Sequence, residues 1–177
     1  MRRRTTGWTL IETVIACALL ALLAALAAPA LGRVLARQRV LGAGNEFVGV
    51  LHHARTLAIG SGARVLLCPS REGRLCADDT RWDRGWLLAL DRDHDDVPDA
   101  APLLRGGSDA ALRIVSTRGR IRLRFRPDGS AAGSNVTFAL CQAGRANTAR
   151  LLVLSNSGRV RAAAAGTAAA AACAGLP

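Results

Sequence analysis

Apolar positions along this chain follow successive patterns, and each predicts a different element. From Trp8 to Leu31 nearly every residue is apolar, and Glu12 is the one charge. The 19 residues of Thr13–Leu31 come close to the ~20 that a helix needs to cross a bilayer core. After Pro29 the apolar positions thin to a helical period. Leu41, Val48, Leu51, Ala54 and Ala58 share one face, while Arg33, Arg37, Arg39 and Arg55 supply polar positions. Gly42 and Gly44 weaken this segment and Gly60-Ser61-Gly62 reads as its stop, so one helix is expected from about Trp8 to about Ile59.

Beyond Gly62 the period shortens. Ala63–Cys68, Gly85–Asp91, Leu112–Ser116, Arg120–Arg126, Val136–Cys141, Arg150–Leu154 and Gly158–Ala162 are short apolar or alternating runs separated by turn residues, the pattern of an antiparallel sandwich. Asn156-Ser157-Gly158 signals a tight hairpin, and Pro127–Asn135 a longer, glycine-containing connection. The expected fold is α+β: a long N-terminal helix, half of it transmembrane, packed on an all-antiparallel β-sandwich head.

The N-terminus adds direction. Arg2, Arg3 and Arg4 ahead of the apolar run hold the start in the cytoplasm and send the rest outward. A secretory signal would need a shorter apolar centre followed by a small-residue cleavage site, which the alanines near Ala27–Ala30 imitate. Glu12 argues against it, because a carboxylate at the mouth of a membrane segment costs a few kcal/mol and calls for a partner.

Gly7-Trp8-Thr9-Leu10-Ile11-Glu12 resembles the prepilin peptidase motif: a glycine before the cut, an aromatic after it, and glutamate at the fifth mature position. Trp8 stands where phenylalanine is usual, and Pro29 where pilins bend their first helix. With Arg126-Pro127-Asp128-Gly129 and the final Ser155-Asn156-Ser157-Gly158-Arg159 hairpin, nearly the whole chain resembles the GspH and FimT group of minor pilins and pseudopilins. The resemblance implies a leader at residues 1–7 removed by prepilin peptidase between Gly7 and Trp8, and N-methylation of Trp8. It also implies pairing of Glu12 with a neighbouring subunit's N-terminal amine. The pilin helix would then occupy 8–60, with 8–31 in the inner membrane or filament core, and the periplasmic head 61–177. Other pilins or pseudopilins would be its partners through the helix.

Charge changes the picture of the head. All 24 basic residues are arginine, the net charge is +11, and loss of Arg2–Arg4 leaves +8, which suits an anionic partner. Arg71–Asp99 holds five arginines and nine acids, whereas Arg105–Arg161 holds eleven arginines and two acids. An acidic region and a basic region are expected.

In Arg118-Gly119-Arg120-Ile121-Arg122-Leu123-Arg124-Phe125-Arg126 every second residue is arginine. On a strand those side chains share one face at about 6.8 Å intervals, with Ile121, Leu123 and Phe125 turned to the core. Such a row with few acids nearby repels itself, which a phosphate polymer would relieve, while a charged edge strand kept soluble is the plainer reading. Gly158-Arg159-Val160-Arg161 resembles the Gly-Arg-x-Arg element associated with DNA contact in FimT-like minor pilins, with Arg159 and Arg161 on one face. Aromatics make up 3% of the chain, so contact with DNA would be to backbone phosphate and salt-dependent. The alternative is a GspH-like structural pseudopilin of a type II secretion system without DNA contact.

Of five cysteines, Cys17 lies in the membrane segment. Cys68, Cys76, Cys141 and Cys173 form an even set in a segment expected to meet an oxidising compartment. Four thiols allow three pairings. Cys68 with Cys76 would close the turn-rich Pro69–Leu75 loop, and Cys141 with Cys173 would tether the alanine-rich Ala163–Ala172 run, which cannot otherwise repay ordering costs of about 1 to 2 kcal/mol per residue. Without a Cys-x-x-Cys pair, zinc is not indicated, and His52 and His53 lack a third ligand at useful spacing.

Asp91-Arg92-Asp93-His94-Asp95-Asp96-Val97-Pro98-Asp99 has the alternating oxygens of a calcium loop. Asp96 stands where a glycine would turn that loop and no glutamate closes it, so the stretch reads as a solvated acidic turn and no metal or other cofactor is assigned. No Ser, His and acid set and no glycine-rich phosphate loop has motif spacing, so no enzyme is expected.

Overall fold

The computed structural model describes residues 9–107, 109, 111–117 and 119–175. They form two compact units, one up to Gln38 and one from Arg39 onward. Helix α1 (Leu10–Ser61) begins in the first unit and continues without a break through Pro29. Leu19, Leu20, Leu23 and Leu26 are all exposed, and by length and composition the helix is apolar enough to cross a membrane.

The second unit contains two four-stranded antiparallel sheets. Strands β1 (Val65–Pro69), β2 (Trp86–Leu90), β3 (Leu104–Gly106) and β5 (Leu123–Phe125) form one in the order β3-β2-β1-β5. Strands β4 (Leu112–Ser116), β6 (Val136–Gln142), β7 (Arg145–Leu154) and β8 (Val160–Ala164) form the other in the order β4-β6-β7-β8, so β8 is an edge. A turn of 3-10 helix covers Trp82–Arg84, and α2 (Thr167–Ala174) ends the fold.

The core lies between the C-terminal half of α1 and the inner faces of both sheets. Val40, Phe47, Val50, Leu51, Ala54 and Ala58 recur at helical spacing and are buried with Leu67, Leu88, Phe125, Phe138 and Leu154. Leu51, Ala54 and Ala58 are therefore core positions, but Leu41 and Val48 are only half-buried and Val40 and Phe47 take the centre. Phe47, Trp82 and Phe138 meet edge-to-face with ring centroids 4.9–5.8 Å apart, the arrangement that ring quadrupoles favour. Three of the chain's six Phe and Trp side chains are thus spent on locking helix to sheet.

The first sheet is buried on its outer face as well. Leu66, Cys68, Leu87 and Ala89 form a second cluster with Cys76 against it, which explains why β1 and β2 are apolar throughout rather than alternating.

Several boundaries differ from the sequence reading. The short β3 was not expected, and β7 begins five residues before Arg150. The Arg120–Arg126 strand shrinks to Leu123–Phe125, opposite Val65–Leu67. Two residues further along that register β1 reaches Pro69, which has no N–H to give a ladder. The alanine-rich run is a helix from Thr167, seated over Cys141 and half-buried Ala139, Ala146 and Ala149.

Candidate functional site

Gly7 and Trp8 lie outside the described residues. Glu12 sits in the first turn of α1, exposed, with its backbone N–H donating to Thr9 Oγ1 at 3.4 Å. Among the described residues no basic group pairs with its carboxylate. A glutamate there stabilises the helix start through the macrodipole and leaves its charge available to a partner from outside the chain.

Cys68 is bonded to Cys76 with Cα atoms 5.5 Å apart, and Cys141 to Cys173 at 6.1 Å, while Cys17 is free and exposed. The first bridge joins residues eight apart in sequence and closes the Pro69–Leu75 loop, which a backbone bond from Ala77 N to Pro69 O also closes, at 2.7 Å. The second fixes α2 to β6.

The arginine row is not the free row that alternation alone implies. Arg122 Nη1 donates to Asp78 at 2.8 Å, and Arg124 grips both oxygens of Asp96, with Nε to Oδ1 at 2.5 Å. Arg120 turns to the Gly133 carbonyl and Asn135 Oδ1, at 3.2 and 3.4 Å. These three are half-buried, Arg126 is exposed, and Arg118 lies outside the described residues. The expectation of a self-repelling row with few acids nearby therefore fails. Acids distant in sequence fold back onto it, and the expected acidic and basic regions partly merge.

Asp96 also accepts from Arg64 Nη2 at 2.9 Å, and Arg64 Nε donates to the fully buried Asp91 at 2.9 Å. The hydrogen bond from Arg124, opposed by burial, joins the charges of Arg124, Arg64 and Arg122 to hold the Asp96 carboxyl below the usual carboxylate range. Neither Arg64 nor Asp91 was singled out for this role from sequence. The signal was an arginine placed immediately before a fully apolar strand, a position that calls for a partner.

The closing hairpin contrasts with this. Ser155 N donates to Arg159 O and Gly158 N to Ser155 O, both at 2.9 Å, and Gly158 has φ +74°: a three-residue loop with its left-handed residue last. A Cβ on Gly158 would lie 2.3 Å from Gly129 O, so the turn of Arg126-Pro127-Asp128-Gly129 and the hairpin turn pack backbone to backbone. Arg55, counted only as a polar helix position from sequence, reaches beneath both and donates to Gly158 O at 3.3 Å.

Val160 packs against the core, while Arg159 and Arg161 are exposed. The Arg159 side chain donates to Ser157 Oγ at 3.3 Å, and among the described residues neither arginine meets a carboxylate. Arg161 lies opposite Val153, which lines a shallow groove of about 480 Å³ with Thr117, Gly119, Arg120, Asn135 and Thr137. The groove therefore has one arginine in its wall and another on the neighbouring strand.

The family described as Type II transport protein GspH matches residues 43–158, about two thirds of the chain. The chain belongs to the GspH family. The match includes the core half of α1 and both sheets as far as Gly158, and the GspH-family fold is seen again in solved structures. The type IV minor pilin FimU of Pseudomonas aeruginosa superposes with a TM-score of 0.59 at 21% identity, covering 75% of this chain and 92% of that one. In a second crystal form of FimU the values are 0.56 and 21%, over 72% and 94%. No curated protein matches the chain.

Proposed function

We propose that this GspH-family chain is a minor pilin of a type IV pilus that contributes to assembly and contacts DNA through its closing hairpin. Prepilin peptidase cuts between Gly7 and Trp8, Trp8 is N-methylated, and the apolar half of α1 anchors the subunit in the inner membrane with its head in the periplasm. Glu12 then meets the N-terminal amine of a neighbouring pilin as the subunit enters the filament, removing two unpaired charges from lipid at once.

The exposure of Arg159 and Arg161 without an internal carboxylate, Arg161 on the strand beside a groove, carries the DNA part of the proposal. A guanidinium already paired with an aspartate must exchange one partner for another, whereas an unpaired one gains a phosphate and displaces the cation condensed on the DNA there. Arg120, in the groove wall, is the first further candidate; Arg126 follows. Arg122 and Arg124 contribute less because Asp78 and Asp96 hold them.

A soluble head for the test must begin near Arg39, because Phe47, Leu51 and Ala54 are core. Replacing Arg159 and Arg161 by Gln is expected to weaken duplex binding and lower the salt slope by about two phosphates, measured by fluorescence anisotropy across a salt series. An unchanged slope in that double variant and in the Arg120, Arg122 and Arg124 triple would leave a structural pseudopilin without DNA contact. Mass spectrometry of the mature protein tests the topology: it should begin at methylated Trp8, and a start after Ala28 or Ala30 would mark a secretory signal.

A further inference from the structure

Most of the Asp91–Asp99 loop is exposed, as its composition suggests, but its first residue is not. Asp91 is fully buried, and its two oxygens have different fates. Oδ2 accepts both bonds from Arg64, whereas Oδ1 is buried and accepts none from the described residues. A buried carboxylate oxygen left unpaired costs about 1–3 kcal/mol or more, so native structures almost always give it a partner. Asp91 also belongs to a group with Asp93 and Asp99 in which one oxygen from each lies within 4.8 Å of the others.

We infer that Asp91, Asp93 and Asp99 bind a calcium ion. Calcium–oxygen bonds run at about 2.3–2.6 Å, so ligands on opposite sides of the ion stand about 4.8 Å apart. The three carboxylates already lie within that span. Magnesium bonds at about 2.0–2.1 Å, demands a near-ideal octahedron and surrenders its water reluctantly, which suits three convergent carboxylates less well. Asp93 is exposed and the Asp99 side chain keeps 18% of its surface accessible, leaving room on the Asp93 side for water to complete the shell.

The sequence objection to such a loop was that Asp96 replaces the turning glycine. In the structure Asp96 nevertheless adopts φ +69°, in the left-handed region, where Arg64 and Arg124 hold its side chain. Opposing charge comes from Arg64 on Asp91, Arg92 at 3.8 Å from Asp99, and Arg124 beyond Asp96. Within Asp91–Asp99 itself, five aspartates face one arginine and one histidine, so the loop retains negative charge for a divalent cation.

The test uses the full chain in detergent micelles, stripped with chelator and then titrated with calcium chloride or magnesium chloride alone. Calorimetry should show saturable calcium binding, and the melting temperature should rise more in millimolar calcium than in equal magnesium. Asp93→Asn should weaken calcium binding at least about tenfold by removing a ligand charge. It should leave the melting temperature in chelator unchanged, because among the described residues the Asp93 carboxylate accepts only a long 3.4 Å bond from Asp95 N. Asp128→Asn, remote in the other turn, should bind calcium as the parent does. Absence of calcium heat, an equal response to magnesium, or unaltered affinity in Asp93→Asn would each overturn the site.

Discussion

Two arginine-rich stretches of the head have similar sequence patterns and opposite surroundings. In Arg120–Arg126 and in Arg159–Arg161 arginine alternates with an apolar residue, and in both the apolar partners face the core: Leu123 and Phe125 in one, Val160 in the other. The first stretch is then overlaid by loops that bring Asp78 and Asp96 onto its guanidinium groups. The second forms the outer edge of its sheet, and among the described residues no carboxylate pairs with it. Alternation sets which way a side chain points. What it meets there depends on loops distant in sequence, and those loops decide whether its charge is used internally.

Disturbing the network that holds the first stretch should have the largest effect. Arg64→Met strands Asp91 as a buried charge and is expected to cost about 3 kcal/mol or more, read by chemical denaturation in chelator. A cost near that of a surface substitution would mean that the network does not hold the loop in place. Next in size is Gly158→Ala. Its new Cβ meets Gly129 O from a left-handed backbone, for an expected loss of about 2 kcal/mol by thermal melting. DNA binding should fall with it, since the same turn presents Arg159.

Asp78→Asn sharpens the contrast at the smallest cost. The Asp78 side chain is 76% exposed, so the pair it forms with Arg122 contributes at most about 1 kcal/mol and the melting temperature should barely move. Arg122 would then join the unpaired class, and the salt slope for DNA should steepen by about one phosphate. If it stays the same while Arg159 and Arg161 matter, pairing is not what separates the two stretches.

Local pattern made much of the fold legible. The helix stop at Gly60-Ser61-Gly62, the hairpin at Asn156-Ser157-Gly158 and the apolar runs of β1, β2, β4 and β6 follow from period and turn chemistry. The two disulfides followed from loop anatomy, since one pairing closed a turn and tethered a tail. The missed features depend on partners that period does not report. Asp78 and Arg122 are 44 residues apart, and Arg55 and Gly158 are 103 apart. Strand β3 is three residues long, too short for any period to register. Val40 and Phe47 displaced Leu41 and Val48 from the core centre because the aromatic cluster with Trp82 and Phe138 sets the rotation of the helix, and that cluster exists only in three dimensions.

Helix α2 has a different dependence. Eight residues, mostly alanine and without a charged side chain, fall well short of the ~12–15 at which an isolated helix becomes even marginal in water. Its docking on Ala139, Ala146 and Ala149 buries small side chains only. Joined to β8 only through Ala165 and Gly166, the helix is held at a finite effective concentration by its own chain, and the Cys141–Cys173 bond adds a second covalent tether at its far end. The reduced chain is therefore expected to keep both sheets while its tail loosens, so that thiol oxidation would set when the last element joins the others.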